Sequence, residues 1–212
     1  MQNATNDAAP ALRAAIEVAK NCSAAVFFPP GSYWLGSTVV LPEAVELRGS
    51  GLQSAEFNTV PGATIKGPKE GPAFLIAHVE KIHMADLSIF GHYTGIVIVD
   101  SALIHLSNVG VEAQYAGTGE EAPCVVNATN EGCNVAFGSN NTALVIENSF
   151  WIWIDRGTYS FLPLYDASLK PLDRATQYGQ RPAIILRGNT PGKHFGIDTT
   201  YLVKWRGVVF QG

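Results

Sequence analysis

Short runs in which apolar and polar residues alternate fill most of the chain, and the runs recur. Phe74-Leu75-Ile76 is followed by Ile82-His83-Met84 and then by Leu87-Ser88-Ile89. The same triple returns as Ile96-Val97-Ile98, Ile104-His105-Leu106 and Val109-Gly110-Val111, with every position displaced by 22 residues. Further copies are Leu144-Val145-Ile146 with Ile152-Trp153-Ile154, and Ile184-Ile185-Leu186 with Val203-Lys204-Trp205 and Val208-Val209-Phe210. A unit this small cannot bury its apolar side alone, so stacking of successive units must supply the core. The pattern predicts an all-β chain, one strand solenoid over residues 1–212. An antiparallel sandwich also has many short strands. The constant displacement between the first two units favours the solenoid.

The first element is different. Leu12, Ile16 and Ala19 fall at helical spacing, Asn6 or Asp7 can cap the segment, and Pro10 sits in its first turn. A helix ending near Asn21, followed by strands only, suits a lid over the open end of a solenoid. Next come Ala24-Ala25-Val26-Phe27-Phe28-Pro29-Pro30-Gly31-Ser32-Tyr33-Trp34-Leu35, then Ser37-Thr38-Val39-Val40-Leu41, then Val45-Glu46-Leu47-Arg48-Gly49-Ser50-Gly51. These predict three strands joined by turns at Pro29-Pro30-Gly31 and Gly49-Ser50-Gly51. A helix after an Asn-Asp pair, a Pro-Pro-Gly-x-Tyr turn, a strand and a Leu-x-Gly-x-Gly turn together resemble the opening of the pectate-lyase-like superfamily. The resemblance is close over about residues 6–65 and continues only as repeat pattern. It implies a right-handed parallel β-helix with a short N-terminal capping helix, and work on polysaccharide.

Between later units the displacement stretches, which places inserted loops at about Glu112–Asn141, Ser160–Arg181 and Asn189–Thr200. The second holds Tyr165, Asp166, Asp173, Arg174 and Tyr178. Long loops on a rigid scaffold are common places for binding sites.

Composition narrows the classes. Hydrophobic residues are 47% and charged residues 15%, too apolar for a disordered chain. A net charge of -4 with no basic patch argues against nucleic acid as a partner. The apolar runs are far shorter than the roughly 20 residues of a membrane helix. Met1-Gln2-Asn3 begins no signal peptide, so secretion, the expected localisation, implies a leader removed or lying upstream. Asn3, Asn21, Asn127 and Asn140 each begin an N-glycosylation triplet, a pattern that Asn-rich turns also make by chance. Cys124 and Cys133 can close a small disulfide or remain two thiols, and Cys22 is expected as a buried apolar residue at the helix end. No spacing suggests a zinc site.

Alternation then locates candidate chemistry. With Ile82, Ile104, Ile152 and Val203 inward, His83, His105, Trp153 and Lys204 form one outward column. Such a polar and aromatic column suits contact with a sugar polymer, or is an ordinary solvated face. On the preceding strand the outward column Leu75, Val97, Val145 and Ile185 is apolar, as if something covers it. Glu147 and Arg187 are expected as neighbours near a cleft edge, as catalytic acid and substrate contact or as a structural ion pair. Asp86, Asn108, Arg156 and Gly207 share a turn, where Asp, Asn and Gly tolerate left-handed backbone. Asp155 falls one place earlier, level with Ala85, Ser107 and Arg206, and is the first choice of catalytic acid.

A glycosidase needs two carboxyls, roughly 5 to 9.5 Å apart. A lyase needs a base and a cation for the uronate carboxylate, so calcium is the one cofactor that could be involved. The Asn-Thr-Asp, Asp-Asp and Gly-His-Gly motifs of polygalacturonases, which the fold also resembles, are absent, and so is a calcium-binding acid cluster. The leading expectation is a glycoside hydrolase or polysaccharide lyase type of protein. The competing one is a non-catalytic glycan-binding adhesin or tail-spike segment. The sequence stops mid-unit at Val208-Val209-Phe210-Gln211-Gly212, which predicts further coils or self-association at that end.

Overall fold

The computed structural model describes residues 7–52, 62–68, 70–91, 94–114, 142–162, 184–187 and 201–211. Helix α1 (Ala9–Cys22) comes first. The strands follow as β1 (Ala25–Phe28), β2 (Gly31–Trp34), β3 (Val39–Val40), β4 (Glu46–Gly49), β5 (Ala63–Lys66) and β6 (Pro72–Ala77). Then come β7 (Glu80–Gly91), β8 (Thr94–Val99), β9 (Ala102–Gln114), β10 (Thr142–Glu147), β11 (Phe150–Leu162), β12 (Ile184–Arg187) and β13 (Tyr201–Gln211).

Every described strand pair is parallel. The strands make the three sides of a right-handed parallel β-helix. The first side runs β3-β6-β8-β10-β12. The second joins β1 and β4 to the leading halves of β7, β9, β11 and β13. The third joins β2 and β5 to the trailing halves of the same long strands. A sandwich is excluded. Ile82 pairs with Ile104, Ile104 with Ile152 and Ile152 with Val203, as the sequence pattern requires. The 24–51 segment holds four strands rather than three. Pro29 and Pro30, poor ladder donors, divide its first run between the second and third sides.

Ile82, Ile104 and Ile152 are at most 1% exposed, and Met84, Leu106 and Ile154 fill the next inward rank. Rungs spaced about 4.8 Å apart leave each aliphatic side chain resting on its counterpart. At the N-terminal end α1 lays Ala9, Leu12 and Ile16 on this core, and Ala19 is buried on the same face. Asp7 fastens it: its Oδ1 accepts from Ala9 N at 2.8 Å and from Gly36 N at 2.7 Å. These backbone bonds, Gly36 first, hold the Asp7 carboxyl below the usual carboxylate range. Ala8, not Asn6 or Asp7, occupies the N-cap position itself. Cys22 is exposed rather than buried, because the helix ends there and Ser23, at φ 53°, turns the chain away.

The corners are set by single left-handed residues. Between second and third sides these are Asp86, Asn108 and Arg156, with φ of 53–55°. Asn108 Nδ2 donates to Asp86 Oδ1 at 2.7 Å, tying one coil to the next. The corner between first and second sides uses two such ranks: His78, Asp100 and Asn148, then Lys81, Leu103 and Trp151. Leu and Trp gain nothing from that conformation, which costs an L-residue about 1–2 kcal/mol, so the stacked coils impose it. At Gly157, with φ of 130°, an added Cβ would lie 2.3 Å from the Val109 carbonyl oxygen, which explains a glycine in an inward rank.

Strands β9 and β11 run two residues past the expected loop starts. Cys124, Cys133, the Tyr165–Tyr178 candidates and the triplets at Asn3, Asn127 and Asn140 lie outside the described residues. Asn21 is exposed at the helix end.

Candidate functional site on the second side

Register alone builds a two-column surface on the outside of the second side. One column runs Glu46, His83, His105, Trp153, Lys204. The other, two residues along each strand, runs Arg48, Ala85, Ser107, Asp155, Arg206. In the first column, buried Val45 and Leu47, Ile82 and Met84, Ile104 and Leu106, and Ile152 and Ile154 flank Glu46, His83, His105 and Trp153 and turn these side chains outward.

The polar members form one chain of contacts. Arg48 Nη2 donates to Glu46 Oε1 at 2.7 Å, and the same oxygen lies 3.5 Å from His83 Nδ1. His83 stacks on His105, with ring centroids 4.9 Å apart and planes 13° apart. His105 Nε2 lies 3.0 Å from Asp155 Oδ2, and Arg206 Nε donates to Asp155 Oδ1 at 3.0 Å. The row thus reads cation, anion, two stacked imidazoles, anion, cation.

Electrostatics agree with that ordering. Burial first, and the adjacent His105 second, push the His83 pKa below the ordinary histidine value, with Glu46 only partly opposing. The His105 hydrogen bond, with Arg206 behind it, holds the Asp155 carboxyl below the usual range against its partial burial. Asp155 is therefore an ionised acceptor at neutral pH. It orients the His105 ring, with Nε2 carrying the proton toward the carboxylate, and leaves Nδ1 as the ring nitrogen it does not engage. That arrangement suits a positioning role better than proton donation to a leaving group.

Of the candidates read from the sequence, His83, His105 and Asp155 are brought into a contact chain, and Trp153 and Lys204 lie in register with it. Trp153 is partly exposed and Lys204 exposed. Glu147 and Arg187 are not part of this surface. They pair in register with each other at the end of the first side, and the Arg187 side chain lies outside the described residues. The Glu147 carbonyl accepts from Asp100 N at 3.0 Å and from Ser149 Oγ at 2.7 Å, which makes it part of the corner. A turn and five strand residues, roughly 15 Å at the rise of an extended chain, separate that corner from Asp155. Glu147 thus ends the first side, while Asp155 lies on the second. No group of three or more His, Cys, Asp or Glu residues with metal-binding geometry occurs among the described residues.

Sequence reasoning missed Glu46, Arg48 and Arg206. Arg206 was visible, since it falls level with Asp155. Glu46 and Arg48 were not, because β4 and β7 are 37 residues apart (Glu46 against His83) and the 22-residue displacement does not reach back to them.

No family model matches the chain, and no curated protein sequence matches it. Its fold class, a parallel β-helix, has solved relatives by shape. PfbA, a surface adhesin of Streptococcus pneumoniae, aligns with TM-score 0.59 at 16% identity over 96% of this chain and 45% of its own. The ORF18 protein of Geobacillus virus E2 aligns with TM-score 0.55 at 14% identity over 98% of this chain and 40% of its own. The Dettilon tailspike protein aligns with TM-score 0.52 at 13% identity over 100% of this chain and 44% of its own. The chain spans less than half the length of each. These likenesses concern the fold. The specific pectate-lyase-like assignment rests on the opening motif alone.

Proposed function

We propose that the chain binds an extracellular polysaccharide along the outer face of the second side. The observation that carries the reading is the unbroken register of Glu46, His83, His105, Trp153 and Lys204. A polymer lying along the helix axis meets a donor, acceptor or ring on each rung of about 4.8 Å, which suits repeated hydroxyls and apolar sugar faces. Holding the charged groups in mutual pairs keeps them oriented without drawing in a single ion. The description of two shape relatives as a surface adhesin and a tailspike protein is consistent with a binding surface outside the cell. No described helix is long and apolar enough to cross a membrane.

Cleavage is the second reading, and the 3.0 Å His105–Asp155 contact favours it. A histidine oriented by a carboxylate is an arrangement used for proton abstraction, and the neighbouring arginines suit a uronate carboxylate. Incubation with a panel of polysaccharides separates the readings. Retention without new reducing ends supports binding alone. Reducing ends together with absorbance of unsaturated products support a lyase, and reducing ends alone a hydrolase. Retention by no polysaccharide, with no product, overturns both. Full turnover in Asp155→Asn removes Asp155 from the chemistry.

A further inference from the structure

A cleft of about 200 Å³ opens at the corner between the first and second sides, away from the polar surface described above. Its wall carries the carboxylates of Glu43, Glu80 and Asp100, the His78 imidazole and the Phe150 ring. Asp100 is the telling member. It is only 5% exposed, and its Oδ1 has no hydrogen-bond partner among the described residues. Its Oδ2 lies 3.5 Å from His78 Nδ1. A buried carboxylate oxygen left without a donor carries an uncompensated desolvation cost. The corner therefore holds an acceptor whose donor is absent. His78, its side chain 65% exposed, lines the cleft beside Asp100, so a ligand seated there lies against both groups.

The rest of the wall defines what the ligand is. Three carboxylates outnumber the His78 imidazole and the Lys81 ammonium, whose Nζ lies 4.0 Å from Glu43 Oε1, so the wall disfavours phosphate, sulfate and uronate groups. No group of three His, Cys, Asp or Glu side chains with metal-binding geometry occurs among the described residues. Beside the carboxylates, Phe150 meets Trp151 edge to face at 5.3 Å, and Trp151 is 42% exposed even though its backbone is left-handed. A corner that holds a large ring in solvent presents an apolar platform next to its acceptors. We infer that this corner cleft binds a single sugar ring rich in hydrogen-bond donors, and that it prefers a ring bearing a free amine over a neutral one and rejects a uronic acid. An ammonium group would offset the buried Asp100 charge, hydroxyls would donate to Glu43 and Glu80, and the C–H face of the ring would rest on the aromatic pair.

The inference stands apart from the polysaccharide reading, and one set of titrations keeps the two distinguishable. Glucosamine, glucose and glucuronate are titrated into the intact chain and followed by calorimetry or by Trp fluorescence. The expected order is glucosamine, then glucose, with glucuronate not binding. Asp100→Asn should cost glucosamine about tenfold, the worth of one charge-assisted hydrogen bond, and should narrow its advantage over glucose. Glu80→Gln, in the cleft wall, and Trp151→Ala, which removes the ring packed on Phe150, should each weaken both sugars and serve if Asp100→Asn does not fold. Trp153→Ala should leave all three titrations unchanged, whatever it does to polysaccharide retention. Absence of glucosamine binding, equal binding of glucuronate, or full affinity in both Glu80→Gln and Trp151→Ala would overturn the proposal.

Discussion

On the first side of the helix the outward column Val40, Leu75, Val97, Val145 is aliphatic throughout, and its exposure falls from 55% at Val40 to 4% at Val97 and 0% at Val145. On the second side the outward columns over the same coils carry Glu46, Arg48, His83, His105 and Asp155, with Trp153 partly exposed and Ala85 the buried apolar exception. Both faces follow the same alternation of strand residues, yet one has become a second apolar layer and the other a row of oriented charges and rings. Alternation fixes which side chains leave the core. The chemistry of each column decides whether they then stabilise the fold or meet a ligand.

Substitutions on the two faces should therefore separate stability from binding. The reference for the largest effect is inside the stack. Ile104→Ala empties a fully buried rung between Ile82 and Ile152 and should cost about 2–5 kcal/mol in urea denaturation. A loss well under 1 kcal/mol would mean that the rungs do not carry the core. Val145→Ala, on the outward but buried column, removes two methyl groups and should cost about 1–2 kcal/mol. Trp153→Ala on the polar face should change stability by no more than about 0.5 kcal/mol while weakening polysaccharide retention. Equal destabilisation by Val145→Ala and Trp153→Ala would erase the distinction between the two faces.

Acidification sharpens the contrast further. Because the folded pKa of His83 is lowered, the unfolded chain binds more protons between that value and the ordinary histidine pKa of about 6.5. Stability from this site is full above pH 6.5 and is lost as pH falls toward the folded pKa. His83→Gln should flatten thermal stability against pH in that window, and a wild-type curve already flat there would contradict the burial of His83. An opposite sign is expected at Tyr159, fully buried with a hydroxyl that has no partner among the described residues and a pKa pushed up by burial. Tyr159→Phe should be neutral or stabilising by up to about 1 kcal/mol. A clear loss would reveal a hydrogen bond to that hydroxyl.

The fold was legible because the constant 22-residue displacement puts like on like: Phe74 on Ile96, Ile82 on Ile104 and Leu87 on Val109. That same displacement placed His83 beside His105 before any geometry was known. It could not show that the rings stack, or that Asp155 reaches across two columns to the His105 nitrogen, because those contacts depend on rotamers. Glu147 shows a related limit. The alternation gave a carboxylate at a strand end, but not that the Glu147 carbonyl would accept from Asp100 N and Ser149 Oγ at the corner. The cleft beside Asp100 was invisible as well, since it depends on left-handed residues at His78, Lys81, Asp100 and Trp151, and Trp and Lys give no sequence signal for that conformation.

The most direct test is retardation of the intact chain in gels containing the polysaccharide selected by the panel. Wild type and Val40→Ala, the latter altered at an exposed valine of the first side, should migrate equally slowly. Trp153→Ala and Lys204→Ala should run faster, toward the mobility seen in a polysaccharide-free gel. Undiminished retardation of both second-side variants, or release of Val40→Ala instead, would contradict a glycan-binding surface on the second side.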